Sequence, residues 1–231
     1  MGISQGREQR LYEELEGFGL SDLLSSLTFS HAQFVPHGSS KHFMKNLLSH
    51  PDVTERCYAA YCLGKVQEED VQLVLGALIT GMGDRSGAVQ NSVFDAMRMR
   101  AAEFCNPANH EYLGAAVSYT CRFLQTYAKV PESQQQIALE FLISLGKSAA
   151  PAACSAALVA RDARQITTRE LALTFLESLE DEARDAAAIL ESYLTPRYPE
   201  LSQRRDAAPT ACAERARVKA ILDKLIPSEQ K

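Results

Sequence analysis

Residues 50–100 carry one helical pattern written twice, and this repetition restricts the fold more than any other feature of the chain. Placing Val89 on Glu55, Ala96 on Cys62 and Met97 on Leu63 gives a constant offset of 34 residues. Between the two copies lies a different helix, with Val71, Val74, Leu75, Leu78, Ile79 and Met82 at three-and-four spacing. That spacing lines one face of a helix with apolar groups. A period of roughly 20–50 residues built from two helices marks a stacked helical repeat, in which each unit buries its apolar face against its neighbours.

The remaining sequence extends the pattern. An amphipathic helix is expected over residues 7–27, divided by Gly17 and Gly19, followed by a loop over 28–40 where Pro36 and Gly38 break the period. A short helix follows at 40–49, with Ser39 or Ser40 as its N-cap. Pro51 fits the first turn of a helix running to Val66. Further helices are predicted at 68–82, 88–102, 110–129, 131–147, 151–160, 166–179, 182–194 and 209–225, with a proline-marked loop at 195–208. Gly81, Gly83 and Gly87 surround Asp84 in a helix-ending turn; the glycine spacing, and a helix rather than a strand before it, exclude a dinucleotide fingerprint. No stretch alternates with period two over the length of a strand, so the chain reads as all-α.

Composition narrows the function classes. The 231 residues suffice for one core, and 46% hydrophobic with 23% charged residues is ordinary for a globular chain. A net charge of −5 and the absence of Trp argue against a general nucleic-acid binder, which needs a basic face. The six cysteines (Cys57, Cys62, Cys105, Cys121, Cys154, Cys212) form no Cys-x-x-Cys pair and read as reduced core residues of a cytoplasmic protein. No apolar segment of the signal-peptide kind opens the chain, Gly6 stands where a myristoylation motif needs Ser or Thr, and no window reads as long enough to span a bilayer.

Three constellations were weighed as chemistry. His31, His37, His42 and His50 fall within one short window, but their spacing does not put two on one helix face, so no metal or cofactor is expected. The acidic pieces (Glu13, Glu14, Glu16; Glu180, Asp181, Glu182, Asp185) read as solvated helix faces. The C-terminal bases Arg197, Arg204, Arg205, Arg215, Arg217, Lys219 and Lys224 are interrupted by acids and read as a solubilising rim. No nucleophile elbow and no Cys–His pairing stands out, so no enzyme is expected.

The repeated helix resembles the second helix of HEAT repeats. The residues that carry the resemblance are His50-Pro51-Asp52, Arg56, Ala59-Ala60 and Leu63-Gly64-Lys65-Val66; then Asp84, Val89 and Ala96-Met97; then Glu132, Ile137 and Leu145-Gly146-Lys147; and, more weakly, Leu171 to Leu179. The resemblance implies an α-solenoid of about five HEAT-like antiparallel helix pairs in a single domain. Residues 1–38 would form an N-terminal helical cap and loop, 39–180 the repeats and 181–231 a divergent C-terminal pair. In such arrays an Asp before the second helix bridges to an Arg inside a neighbouring one, which suggests an Arg56–Asp84 bridge; His50 and Gln90 stand where the pattern has Asp and Arg, and Arg98 where it has Gly. The third copy has Glu132 but Ala138. Second helices of such arrays line a concave partner-binding surface, and the residues expected there are Tyr61, Lys65, Asn91, Asp95, Arg98 and Lys147. The function implied is a protein-binding scaffold or adaptor. Two rival readings rest on the same resemblance: a HEAT-like DNA glycosylase, and a helper subunit of the HEAT-like bilin lyase kind.

Overall fold

The structure is a computed structural model and describes residues 39–66, 71–126, 130–194 and 209–226. By its internal contacts the chain divides into two units, Met1–His37 and Gly38–Lys231. The expected 7–27 helix, nearly all of the 28–40 loop and the 195–208 loop lie outside the described residues. All regular structure among the described residues is helical, so the chain is all-α.

The elements are α1 (Ser40–Ser49), α2 (Val53–Lys65), α3 (Val71–Gly81), α4 (Gly87–Met99), the single turn α5 (Ala101–Phe104), α6 (His110–Gln125), α7 (Glu132–Leu145), α8 (Ala153–Asp162), α9 (Ile166–Leu179), α10 (Ala187–Leu194) and α11 (Pro209–Leu225). Local chemistry sets several of their ends. Ser39 accepts from the His42 N–H at 3.4 Å to start α1, and Asp52 accepts from the Thr54 N–H at 2.6 Å to start α2. Asp52 therefore occupies the N-cap, and Pro51 precedes the helix rather than filling its first turn: a carboxylate there satisfies an orphan N–H. The expected 88–102 helix breaks at Arg100. That side chain is 4% exposed and folds back to cap α2, donating from Nε to the Leu63 carbonyl at 2.6 Å and from Nη2 to the Val66 carbonyl.

Two helices end at unusual backbone positions. Gly146 closes α7 with φ +56°, and Glu180 closes α9 with φ +53°. Each opens a 3-10 segment, Gly146–Ala152 and Glu180–Ala186, that leads into the next helix, so α8 starts at Ala153 and not at Pro151. Glycine tolerates such a φ and glutamate is strained there, at roughly 1–3 kcal/mol. Glu180→Gly is therefore expected to raise stability by about 1 kcal/mol, because glycine's own entropic cost of roughly 0.5–1 kcal/mol offsets part of the relief. Its exposed pairing with Lys147 is screened and contributes little. A Cβ at Gly146 would meet nothing within 4 Å, so Gly146→Ala is expected to lose a comparable amount through backbone strain alone. Urea unfolding of the two variants reads both signs.

Packing arranges the helices in two rows. In the first, α1, α3, α6, α8 and α10 each touch the next; in the second, α2, α4, α7, α9 and α11 do the same. Each first-row helix also packs on the second-row helix that follows it. Helices α2 and α4 pack closely: a Cβ on Gly64 would lie 3.0 Å from the Ala96 Cα, tighter than ordinary contact, so a side chain there would push the α4 backbone away. The middle of the core is aromatic: Phe94 lies 5.3 Å from Phe123 and 6.1 Å from Phe141, and Phe104 5.8 Å from Phe141. One expectation is corrected here. The stretch Glu132–Asp162, taken as one helical run, is long and apolar enough to cross a membrane by length and composition. It is broken at Gly146, and half of its apolar window is buried inside the fold against neighbouring helices.

Candidate functional site

The second row keeps a strict register. Its helices α2 and α4 start 34 residues apart, and so do α7 and α9. The latter spacing runs through identical residues, among them Leu139 and Leu173, Phe141 and Phe175, Leu142 and Leu176, Ser144 and Ser178, Leu145 and Leu179. Both serines donate to the carbonyl three residues back, at 2.6 Å. The 3-10 segments and α8 and α10 repeat at the same offset.

The fourth residue of each of these four helices performs one task. Arg56 donates to the carbonyls of His50 and Pro51 at 2.9 and 3.0 Å, and Arg169 to those of Ala163 and Arg164 at 3.0 and 2.9 Å. Gln90 donates to the Asp84 carbonyl at 2.9 Å and Gln135 to that of Val130 at 2.9 Å. Each side chain thus ties down the loop entering its own helix. The arginines reach further, to an acid in the next layer: Arg56 Nε to Asp84 at 2.7 Å, and Arg169 Nη2 to Glu214 at 3.0 Å. Asp84 also accepts from the Ser86 N–H at 2.8 Å. In the third copy the residue in register is Gln135 rather than Ala138, and Glu132 reaches the next layer instead, accepting from the N–H groups of Arg164 and Gln165 at 2.9 and 2.6 Å. This set is structural: it fixes the spacing of layers.

The ninth and twelfth residues form the outward face of the row. The ninth are Tyr61, Asp95, Glu140 and Thr174; the twelfth are Gly64, Arg98, Ile143 and Glu177. Arg98 bridges α4 to α7, donating to Asp95 at 3.1 Å and to Glu140. Arg217 bridges α11 to α9, donating to Glu177 at 2.5 and 2.6 Å and to Thr174 at 2.9 Å. Met99 is 42% exposed beside Arg98.

Of the residues expected on this face, Asn91, Asp95 and Arg98 come together on α4. Tyr61 is not an exposed contact: it is 8% exposed, and its hydroxyl has no hydrogen-bond partner among the described residues. The Lys65 ammonium lies 4.9 Å from the centre of the Tyr61 ring, a cation–π distance. Lys147 lies past the end of α7 and pairs with Glu180 at 2.5 Å. Glu140 and Glu177 went unnoticed in the sequence, and Arg217 was read only as part of a solubilising rim. The signal that would have found Glu140 and Glu177 is the register of the helix starts, 45 residues from Gly87 to Glu132 and 34 from there to Ile166, which aligns Glu140 with Asp95 and Glu177 with Arg98.

The electrostatics separate structural from surface carboxylates. Burial pushes the Asp84 carboxyl up, but the hydrogen bonds from Arg56 and from the Ser86 backbone outweigh it and hold it below the usual range. The Arg217 hydrogen bond holds Glu177 low against its partial burial. Asp95 goes the other way: burial raises it, Arg98 pulls it down, and nearby Glu140 pushes it up again. For Asp84 and Glu177 the folded pKa lies below the unfolded one, so their stabilisation is complete above about pH 4–5, the usual carboxylate range, and is lost as the pH falls through the folded values. Asp95 has the opposite sign and weighs against the fold above its folded pKa. The urea midpoint is expected to drop on acidification below about pH 4, less steeply in Asp84→Asn, and Asp95→Asn is expected to raise it at pH 7.

Burial raises the thiols of Cys57, Cys121 and Cys154, and that of Cys62 to about 12, which leaves them protonated and poor nucleophiles. Cys105 and Cys212 are exposed, which corrects the expectation that all six are core residues: Cys105 follows the single turn α5, and Cys212 sits on the outer side of the last helix. Among the described residues no three His, Cys, Asp or Glu side chains converge as a metal site. Comparison with family models, with curated proteins and with solved structures returned no match.

Proposed function

We propose that this chain is a HEAT-like helical-repeat scaffold that binds another protein on the outward face of its second-helix row. The observation that carries the reading is the register. Four second-row helices keep loop-tying residues at one position and structural ties between layers, while their ninth and twelfth positions vary in chemistry from layer to layer. Repeat proteins divide labour in this way: the ties hold the array and the varying face supplies recognition. The face joins exposed Met99 to the charged groups Asp95, Arg98 and Glu140, the mixture of apolar anchor and charged rim that protein interfaces use. Solenoid architecture, a concave second-helix surface and an adaptor role all belong to this proposal.

The test is co-purification of the tagged full chain from the cells that make it. Arg98→Ala combined with Met99→Asp should remove one discrete protein while leaving the thermal midpoint unchanged, because both side chains are substantially exposed. Retention of that protein at an unchanged midpoint would remove this face from the account.

A further inference from the structure

This inference rests on the second-row face being a docking surface, and it names what docks there. Around α4 the Asp95 and Glu140 carboxylates share the Arg98 guanidinium, and on adjoining α2 the Lys65 ammonium lies over the Tyr61 ring. One turn before Asp95 on the same helix, the Asn91 Oδ1 is buried and accepts no hydrogen bond from any described residue. On the adjoining helix α2, in the same register as Asp95, stands Tyr61 with its buried and unpartnered hydroxyl. Buried polar atoms are nearly always satisfied in folded proteins, and here the Tyr61 hydroxyl and, a turn earlier on the neighbouring helix, the Asn91 Oδ1 have no partner among the described residues; a further polar group beside them would meet open acceptors.

The chemistry selects that group. A carbonyl oxygen and two carboxylates are completed by N–H donors that carry positive charge. An incoming anion would face both carboxylates, and an apolar side chain would leave the acceptors unmet. We infer that the face between α2, α4 and α7 receives an arginine or lysine side chain from a basic segment of the partner protein. Arg98, 42% exposed, is long enough to move toward solvent as the second cation arrives. An arginine suits the place better than a lysine, because its planar fork donates to a carboxylate and to a second acceptor together.

The experiment is fluorescence anisotropy of the full chain at low salt with two labelled twelve-residue peptides, one of arginine and serine, the other of glutamate and serine. Two variants carry the same change of charge: Asp95→Asn with Glu140→Gln at the site, and Glu182→Gln with Asp185→Asn on the exposed acidic 3-10 segment. The arginine peptide should bind and the glutamate peptide should not. The site variant should weaken binding by about tenfold, equivalent to roughly 1.4 kcal/mol, and the distant variant by less than about twofold. Equal weakening in both variants would reduce the effect to general attraction by an acidic chain and overturn the assignment. Binding of the glutamate peptide, or of neither peptide, would overturn it as well. If the arginine peptide fails while the co-purified protein still depends on Arg98 and Met99, docking stands and the basic preference falls; if that dependence also fails, the docking surface itself is gone.

Discussion

Glu214→Ala is expected to lower stability by about 3–5 kcal/mol, the cost of removing one partner from a buried ion pair. The Glu214 side chain is 9% exposed and that of Arg169 12%. Glu214 accepts from Arg169 Nε and Nη2 at 3.1 and 3.0 Å and from the Tyr193 hydroxyl at 2.8 Å, so one carboxylate holds α9, α10 and α11 together. Truncation leaves a guanidinium with two of its donors facing the core and a phenol without its acceptor. Glu214→Gln keeps an acceptor for one of them and should cost less. Arg169→Met combined with Glu214→Leu should recover most of the loss, because it removes the stranded charge as well. Urea unfolding followed by circular dichroism reads all three, and a loss below about 1 kcal/mol for Glu214→Ala would mean that α11 is held by its apolar residues alone.

The second large effect belongs to Phe94. It is 0% exposed and joins three helices of two adjacent layers: its ring meets Phe123 of α6 and Phe141 of α7 in tilted contacts. Phe94→Ala should cost about 3–5 kcal/mol through lost transfer energy and an unfilled cavity. Tilted aromatic pairs add roughly 0.5–1.5 kcal/mol each beyond buried area, so Phe94→Leu, which keeps most of the volume, should still lose about 1–2 kcal/mol. Both effects appear as shifts of the urea midpoint, and the slope of the transition should stay unchanged if the chain from Gly38 onward unfolds as one unit.

How far the sequence carried the reading depends on the physical cause at each point. The helix at 166–179 was legible to the residue because its apolar spacing and its boundary residues agree. The Arg56–Asp84 pairing was expected from the resemblance to HEAT repeats, and the structure joins the two residues at 2.7 Å. The tripeptide Leu-Gly-Lys misled. In α2 it is Leu63-Gly64-Lys65, inside the helix, where Gly64 admits the backbone of α4. After α7 it is Leu145-Gly146-Lys147, where Gly146 supplies a positive φ at the helix end. One sequence thus serves two unrelated backbone needs, and aligning the copies on it displaces the third by three residues. That displacement put Ala138 where Gln135 belongs and concealed Glu140. Tyr61 was expected to be exposed, but the ninth position, outward in α4 and α7, is covered in α2, where Tyr61 is 8% exposed. Packing distance between helices is not written in their periodicity.

The most direct test of the central claim is site-specific photo-crosslinking in the cells that make the protein. A photoreactive residue in place of Met99 places the probe on the second row, and one in place of Glu111 places it on an exposed part of the first row. The account predicts one discrete protein adduct from Met99 and none from Glu111. Adducts from Glu111 with none from Met99 would contradict it.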